Sequence, residues 1–191
     1  MRTAYIGMGS NLASTAGPPD ATLAAAASRL AALGRVVAQS SLYSTTPVGY
    51  AEQPRFLNAA VGLESGLAPR ALLDALLAIE HHFGRDRSTG IPNGPRTLDL
   101  DILMLGDLCL YEAGLEIPHP RLIERAFVLV PLNEIAPQVM HPRRGKTVAQ
   151  LLHSFRESCQ DDLDAVVPIQ SDAWRAGGDA AHSSRSAPRA E

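Results

Sequence analysis

The sequence predicts an α+β fold built around an antiparallel-rich sheet. Strand-like stretches rich in β-branched and aromatic residues alternate with two helical stretches that proline or glycine punctuates. Their order along residues 3–105 is strand, helix, strand, strand, helix, strand. That order is the ferredoxin-like βαββαβ pattern, with two helices on one face of the sheet. We therefore expect a single-domain α/β sandwich with a hairpin and helices added on its C-terminal side.

The first half of this pattern has clear local signals. TAYIGM at residues 3–8 is typical of a strand, and the glycine-rich GMGSN that overlaps its end predicts a tight turn. An alanine- and leucine-rich helix follows, with Asp20 as its expected N-cap and Gly34 as its expected stop. RVVAQSSLY, residues 35–43, predicts the second strand because it is β-branched and lacks helix breakers.

The second half repeats the order with a strand before the helix and another after it. RFLNAAVGLES predicts a strand over residues 55–65. Pro69 begins a helix whose leucines recur at helical spacing until Gly84. LDLDILML predicts a strand over residues 98–105, and the stretch 107–150 predicts a short hairpin and further helices.

Length and composition indicate an ordinary globular domain. The chain has 191 residues, of which 46% are hydrophobic and 19% charged, enough for one sizeable core. Because the formal net charge is −3, no overall basic field attracts nucleic acid or an anionic membrane. Any bound anion therefore needs a local group of arginines.

No segment suggests membrane insertion or export. The longest uncharged apolar run is far below the roughly 20 residues of a membrane span, and we expect no signal peptide. Cys109 and Cys159 have no metal-ligand spacing, so we expect two reduced thiols in a cytoplasmic protein. We also expect a monomer.

The composition changes near the C-terminus. From Ser171 the chain is rich in Ala, Gly, Ser and Arg, which offer little apolar surface to offset the cost of ordering. We expect one domain over residues 1–170 and a disordered tail over 171–191, whose deletion leaves activity within a few-fold of the full chain. Trp174 is the exception in this tail and is a candidate for docking.

The motif NGPRTLDLDI, residues 93–102, places two carboxylates in an otherwise apolar strand. Residues two apart in a strand share a face, so Asp99 and Asp101 lie about 6.6 Å apart, on the face expected to carry Leu103 and Leu105. At that separation the two charges repel by roughly 2.5 kcal/mol at an effective dielectric constant of about 20. Solvated carboxylates at a sheet edge are the alternative to a binding site.

Arginines in the preceding loop favour a site. Arg85, Arg87 and Arg96 flank the two aspartates, and guanidinium groups donate paired hydrogen bonds to phosphate. Mg²⁺ usually takes one or two carboxylates together with phosphate oxygens and water. The combination suggests a metal–nucleotide complex. Neither GxxxxGK(S/T) nor a dinucleotide GxGxxG motif occurs, so the phosphates must be held in another way.

Four motifs in collinear order resemble those of the hydroxymethyl-dihydropterin pyrophosphokinase family of folate biosynthesis. They are AYIGMGSNL, YSTTPVG with FLNAAV, GPRTLDLDILMLG, and IPHPRLIERAFVLVPLNEIAP, and the resemblance covers residues 3–155. It implies an enzyme that transfers pyrophosphate from MgATP to the hydroxymethyl group of 6-hydroxymethyl-7,8-dihydropterin and releases AMP. It also implies Mg²⁺, as two ions, and no partner other than these small molecules.

The resemblance implies a role for each matching position. Asp99 and Asp101 match the magnesium ligands, and Arg85 and Arg96 match arginines that contact phosphate and assist transfer. The positions that match pterin-binding residues are Thr45, Thr46, Val48, Phe56, Asn58 and Phe127. The positions on the ATP side are Glu80, Arg87, Ile102, His119 and Arg125. Two aromatic rings and an edge-reading amide suit a flat heteroaromatic ligand.

Some positions depart from the family pattern. An arginine and an aromatic residue that often precede GPR are replaced by Pro92 and Asn93, and two ATP-side residues are replaced by Leu77 and Pro120. The loops 44–54 and 85–95 are nevertheless expected to close over the ligands and exclude water.

Two other functions remain open at this level. One is a metal-dependent phosphohydrolase that uses the same aspartates. The other is a non-catalytic ferredoxin-like module that binds a metabolite, although such a module has no need of two metal-ligating carboxylates.

Overall fold

A computed structural model of the chain describes residues 1–87 and 93–176. Part of the loop 85–95, including Pro92, therefore lies outside the described residues, as does most of the predicted tail. The strands are β1 (Arg2–Ser10), β2 (Arg35–Gln39), β3 (Leu42–Thr45), β4 (Phe56–Ser65), β5 (Asp99–Leu105), β6 (Leu110–Glu112), β7 (Leu115–Ile117), β8 (Met140–His141), β9 (Lys146–Thr147) and β10 (Val166–Ile169). The α-helices are α1 (Pro19–Leu30), α2 (Pro69–His82), α3 (Ala126–Ile135), α4 (Val148–Ser158) and α5 (Gln160–Asp164), with a 3₁₀ turn at Leu122–Glu124.

The central sheet is antiparallel throughout its described pairings. Its order is β10–β3–β4–β1–β5, and β2 also pairs with β4. The hairpins β6–β7 and β8–β9 form separate two-stranded sheets. The prediction of a mixed α+β domain with an antiparallel sheet is confirmed. None of the helices in the described ranges is long and apolar enough to span a membrane.

Helices cover both faces of the sheet. One core contains leucines of α1 and α2, such as Leu23 and Leu72, packed with Ile6 of β1. A second core contains Leu129 of α3 and Leu151 of α4, packed on the opposite side of the strands. The two helices predicted from the repeating pattern therefore share one layer, and the added C-terminal helices form the other.

The predicted second strand is interrupted at its two serines. β2 and β3 both pair with β4 but are separated at Ser40 and Ser41. The Ser40 side chain accepts a hydrogen bond from the Ala60 amide (2.9 Å) and donates one to the Ser41 carbonyl (2.7 Å). A serine side chain can compete with backbone ladder bonds in this way, and the strand breaks where it does so.

β5 contains a bulge that changes the expected alternation of its side chains. Its register against β1 shifts after Ile102, so that Leu103 faces no partner residue. Beyond this point Leu105 packs in the same core as Ile102, whereas Leu103 and Met104 pack together in the other core. The expectation that Leu105 shares the face of the two aspartates is wrong, because one extra residue reverses the alternation.

The helix boundaries agree with the sequence signals at α2 and differ at α1. α2 begins at Pro69 as predicted, and Gly84 beyond its end has φ +82°, a conformation that favours glycine. Asp20 does not cap α1 but lies in its first turn and accepts a hydrogen bond from Ser171 Oγ (2.8 Å). At Gly34 a Cβ atom would lie 2.2 Å from the Glu64 carbonyl oxygen, so glycine permits this approach to β4.

The start of the predicted tail packs against the sheet. Trp174 is 4% exposed, and its indole Nε1 donates to the Ser40 carbonyl (2.9 Å). Gln39 Nε2 donates to the Trp174 carbonyl (3.1 Å). The suggestion that Trp174 docks is confirmed, so the packed part of the chain extends beyond residue 170. The expectation of a disordered tail stays a prediction for residues 177–191, which lie outside the described part.

Candidate active site

The two aspartates lie at the start of β5, beside two glycines of the central strand β1. Asp99 pairs with Gly9 and Asp101 with Gly7 in the antiparallel register. A Cβ atom on Gly9 would lie 3.0 Å from Asn58 Oδ1, so a side chain there would crowd the next strand. The expected tight turn at these glycines is wrong: both lie inside β1, where side chains of the neighbouring strands leave little space for a Cβ atom.

Asp99 is surrounded by arginines. Arg96 Nη2 lies 2.9 Å from Asp99 Oδ2, and Arg85 Nη1 donates a hydrogen bond to Asp99 Oδ1. Arg87 Nη2 is 3.9 Å from the same oxygen. Burial acts to raise the pKa of Asp99, but the charges of Arg96 and Arg85 outweigh burial and bring the pKa below its usual range. Asp99 is therefore an ionised carboxylate with compensated charge.

Asp101 has the opposite electrostatic environment. Among residues 1–87 and 93–176, no arginine or lysine forms a salt bridge with it. Burial raises the pKa of Asp101 and the charge of Asp99 raises it further, and together they outweigh the opposing effects of His119 and Arg125. The negative charge of Asp101 therefore lacks the compensation that Asp99 receives.

These two carboxylates fit a shared magnesium ion better than a metal site made by protein alone. No group of three or more His, Cys, Asp or Glu side chains in the described part of the chain could hold a metal ion. Mg²⁺ commonly binds one or two carboxylates and completes its coordination with phosphate oxygens and water. The donor set at Asp99 and Asp101 suits such an ion only when a phosphate ligand accompanies it.

The end of β1 holds Arg96 in place. The Arg96 amide donates to Asn11 Oδ1 (2.7 Å), and the Arg96 carbonyl accepts from the Asn11 amide (3.0 Å). Ser10 Oγ donates to the Thr97 carbonyl (2.6 Å). Asn11 is 4% exposed, so these bonds are shielded from water. The segment before β5 is therefore attached to the central strand, which directs the Arg96 side chain at Asp99.

Glu80 links helix α2 to the arginines and to the edge of the sheet. It is 1% exposed and accepts a hydrogen bond from the Leu100 amide (2.8 Å). Arg87 donates to both carboxylate oxygens at 2.7–2.9 Å, and Arg85 Nε lies 3.7 Å away. Burial raises the pKa of Glu80, although Arg85, the Leu100 amide and Arg87 oppose this. Glu80 thus orients two of the arginines around Asp99.

All six positions expected to bind pterin surround one cavity. We call it the aromatic cavity; its volume is about 130 Å³. The predicted residues on its wall are Thr45, Thr46, Val48, Phe56, Asn58 and Phe127. The wall also contains Gly49, Asn93, Arg96, Arg121 and Arg125.

Guanidinium groups lie on both aromatic rings of this cavity. Arg96 Cζ is 4.5 Å from the centroid of the Phe56 ring, and Arg125 Cζ is 5.5 Å from that of Phe127. Such contacts are attractive because a cation faces the negative π surface. Both arginines therefore occupy ring faces that a flat ligand would need.

The amide of Asn58 belongs to the same cavity. Asn58 is 7% exposed, and its Nδ2 donates to Thr45 Oγ1 (2.7 Å). Thr45 of β3 pairs with Phe56 of β4. Phe56 is two residues before Asn58, so the two side chains lie on the same face of β4. The ring, the amide and the hydroxyl are therefore held at fixed spacing by the sheet itself.

A second and larger space lies along the edge strand β5. We call it the edge cleft; its volume is about 570 Å³, between α2, β5 and the β6–β7 hairpin. Of the expected ATP-side residues it is lined by Arg87, Ile102 and His119. Leu77 and Pro120, both departures from the family pattern, also contribute to its wall.

The other two ATP-side positions lie elsewhere in the structure. Glu80 is buried beneath the arginines and does not line the edge cleft. Arg125 lines the aromatic cavity. Burial lowers the pKa of Arg125, with the neighbouring charge of Arg121 acting in the same direction. Burial likewise lowers the pKa of His119, which favours a neutral ring in the edge cleft.

The aspartates lie where the two spaces approach each other. Asp101 lines the edge cleft and also a small pocket that it shares with Asp99. Asn58 and Phe127 of the aromatic cavity line that same pocket. Ligands in the two spaces would therefore meet at the carboxylate pair.

Sequence reasoning did not single out every residue of this site. Arg121 lines the aromatic cavity, and its position four residues before Arg125 is a signal of a shared basic patch. Asn93 also lines it, with φ +56°, and its carbonyl accepts a hydrogen bond from Gln53 (2.8 Å). Gly9 lies opposite Asp99, whereas the glycine-rich GMGSN sequence predicts only a turn there, since its cross-strand neighbours are distant in sequence.

Comparison with known proteins settles the family. The family model of 7,8-dihydro-6-hydroxymethylpterin-pyrophosphokinase matches residues 5–137. The chain belongs to this family. It is 43% identical over 168 residues to the 2-amino-4-hydroxy-6-hydroxymethyldihydropteridine pyrophosphokinase of Synechocystis, covering 87% of this chain and 80% of that protein. The enzyme of the same name from Pseudomonas aeruginosa is 45% identical over 150 residues, covering 78% and 88%.

Solved structures share the fold of this pyrophosphokinase. The HPPK-DHPS triple mutant of Plasmodium falciparum superimposes with a TM-score of 0.69 at 16% sequence identity. The match covers 89% of this chain and 48% of that longer one, so the chain corresponds to about half of the Plasmodium protein. By its family model and its curated relatives the chain is an enzyme of the pyrophosphokinase class, which argues against the phosphohydrolase and the non-catalytic module.

Proposed function

We propose that this chain transfers a pyrophosphoryl group from MgATP to 6-hydroxymethyl-7,8-dihydropterin, giving AMP and the pterin diphosphate. One observation carries the proposal: the carboxylate pair lies between an aromatic cavity suited to a flat ring and a cleft large enough for a nucleotide. The family assignment agrees with this arrangement.

The pterin would lie in the aromatic cavity. Phe56 and Phe127 offer ring faces, and the Asn58 amide and Thr45 hydroxyl offer donors and acceptors for the ring edge. Arg96 and Arg125 must leave the ring faces for the ligand to stack there. Binding therefore requires side-chain rearrangement, whereas the strands that carry the recognition groups can stay in place.

ATP would lie in the edge cleft with its phosphates towards the carboxylates. Asp99 and Asp101 would hold Mg²⁺, which when bound neutralises phosphate charge and lowers the pKa of a coordinated hydroxyl. Arg85 and Arg96, released from Asp99, would donate to the phosphate oxygens and stabilise charge that develops as AMP leaves. Catalysis would come mainly from alignment of the hydroxyl with the β-phosphorus.

Several finer expectations join this proposal. We infer that the core is ferredoxin-like, which the order β3–β4–β1–β5 with crossovers through α1 and α2 supports. ATP as co-substrate and two Mg²⁺ ions follow from the family resemblance. The monomeric state, the cytoplasmic location and the closing of loops 44–54 and 85–95 stay predictions of the sequence.

The proposal is tested by identification of the nucleotide product. We expect incubation with MgATP and the reduced hydroxymethylpterin to yield AMP and a pterin diphosphate in equal amounts. Omission of the pterin should stop AMP formation. ADP as the product, or nucleotide hydrolysis independent of pterin, would overturn the proposal in favour of a kinase or a phosphohydrolase.

A further inference from the structure

Arg55 forms hydrogen bonds to three residues in two separate segments of the chain. Its Nε donates to Ser44 Oγ (2.8 Å) and its Nη2 to the Ser44 carbonyl (3.2 Å). Its Nη1 donates to Thr46 Oγ1 (2.9 Å), and Nη2 also reaches the Ala165 carbonyl (3.0 Å). A planar guanidinium suits this role because its donors have fixed directions.

The segment that Arg55 holds is the end of β3 that borders the aromatic cavity. The ladder between β3 and β4 reaches Thr45 and no further, yet Thr46 also lines the cavity. In the described part of the chain, the Thr46 side chain is held by Arg55 rather than by the sheet. The position of Thr46 therefore depends on Arg55, the residue that directly precedes β4.

The C-terminal strand supports the same segment from the other side. β10 pairs antiparallel with β3, with Val166 opposite Thr45. Ala165, which accepts from Arg55, directly precedes this strand. β10 lies beyond residue 137, where the match to the family model ends. A region outside that match thus supports β3, the strand whose Thr45 lines the cavity.

Arg55 does not itself line the aromatic cavity, so it can act on a ligand only through its partners. We propose that Arg55 is a positioning residue for the pterin, which holds Thr46 directly after β3 while also bonding Ala165 at the start of β10. This inference rests on the proposed function of the aromatic cavity. It assigns a role in pterin affinity to an exposed arginine and to the C-terminal strand.

The test compares Arg55→Ala and Arg55→Lys with a matched control, Arg35→Ala. Arg35 is also an exposed arginine of this sheet, and it pairs with Glu64 at the other end of β4. We expect Arg55→Ala to raise the KM for the pterin on the order of tenfold, because hydrogen bonds from a charged donor are lost. The KM for ATP and kcat should stay within about twofold, and Arg55→Lys should restore part of the pterin affinity.

A second arm shows whether Arg55 acts through Thr46. In a Thr46→Val background the additional effect of Arg55→Ala on the pterin KM should fall below about threefold, since the shared hydrogen bond is already absent. A full effect in that background would overturn the inference. So would an unchanged pterin KM, or equal losses in pterin KM, ATP KM and kcat. If the wild type and Arg35→Ala do not turn over the pterin at all, the proposed function fails instead.

Discussion

The aromatic cavity and the edge cleft meet at the same two aspartates but are built from different parts of the fold. Strands β3 and β4 provide the ring, amide and hydroxyl groups of the aromatic cavity. The edge cleft is bounded by one helix, one edge strand and a separate hairpin. Groups on paired strands keep their spacing, whereas groups on independent elements can move relative to one another.

The two regions also differ in how their charges are satisfied. Beside the edge cleft, Arg87 is paired with Glu80, and Arg85 with Asp99, so a triphosphate must exchange these partners. In the aromatic cavity the recognition groups are neutral, and Asn58 and Thr45 bond each other. The comparison indicates that the paired strands fix the groups for ring recognition in advance, although Arg96 and Arg125 must still leave the ring faces. Phosphate binding in the edge cleft would in addition require the ion pairs to exchange partners.

The largest expected effects come from the two aspartates, which the structure makes unequal. Asp99→Asn and Asp101→Asn should each reduce turnover on the order of 10³-fold, since each removes a metal ligand worth several kcal/mol in the transition state. Without ligands, Asp101→Asn should melt at or above the wild-type temperature because a poorly compensated buried charge is lost.

Asp99→Asn should instead melt at a lower temperature, because Arg85 and Arg96 lose their counter-charge. Its free energy of unfolding should fall by about 1–3 kcal/mol. The two substitutions differ although the carboxylates repel each other, since only Asp99 is paired with arginine. Thermal melts with and without MgATP measure both effects. Equal melting temperatures of the two variants would show that the different charge environments of Asp99 and Asp101 do not affect stability.

Arg96 contacts both Asp99 and the Phe56 ring of the aromatic cavity, so its removal should affect turnover and pterin binding in opposite directions. Arg96→Ala should lower kcat by roughly 100-fold, as expected for a group that stabilises developing charge. Pterin binding without nucleotide should tighten by a few-fold, because the guanidinium no longer competes for the Phe56 ring. Kinetics and pterin titration by ligand fluorescence measure the two outcomes. Weaker pterin binding in this variant would contradict the idea that Arg96 covers the ring.

Asn58→Ala should affect the aromatic cavity alone. We expect the pterin KM to rise about 30-fold, since the ligand's polar edge is left unpaired at a cost of roughly 2 kcal/mol. The KM for ATP should change little. Thr45→Val removes the hydroxyl that Asn58 bonds but keeps the side-chain volume, and it should raise the pterin KM less than Asn58→Ala because the amide remains. Equal losses of pterin and ATP affinity in Asn58→Ala would indicate a structural role for the amide.

Truncation should have the smallest effect on activity and tests the docking of Trp174. A chain ending at residue 176 should be as stable as the full chain, whereas one ending at residue 170 should lose about 2–4 kcal/mol because Trp174 is buried. Both should keep activity within a few-fold at low temperature. Denaturant unfolding measures the difference, and identical midpoints would show that the docking of Trp174 contributes nothing.

Much of the fold could be predicted because its signals are local. Pro69 and Gly84 bound α2, and the order of strands and helices follows from composition and spacing. The break at Ser40 and the bulge at Leu103 could not, because each depends on hydrogen bonds to a neighbouring strand. The docking of Trp174 likewise depends on a carbonyl more than a hundred residues away in sequence.

The sequence by itself determined which residues form the candidate site. The collinear motifs identified the carboxylates, three of the arginines beside them and six of the residues that line the aromatic cavity, but not Arg121. Only the tertiary structure decided their pairing: Asp99 with Arg85 and Arg96, Glu80 with Arg87 and the Leu100 amide. The physical reason is that electrostatic partners are selected by distance and burial, and both arise only when distant segments pack together.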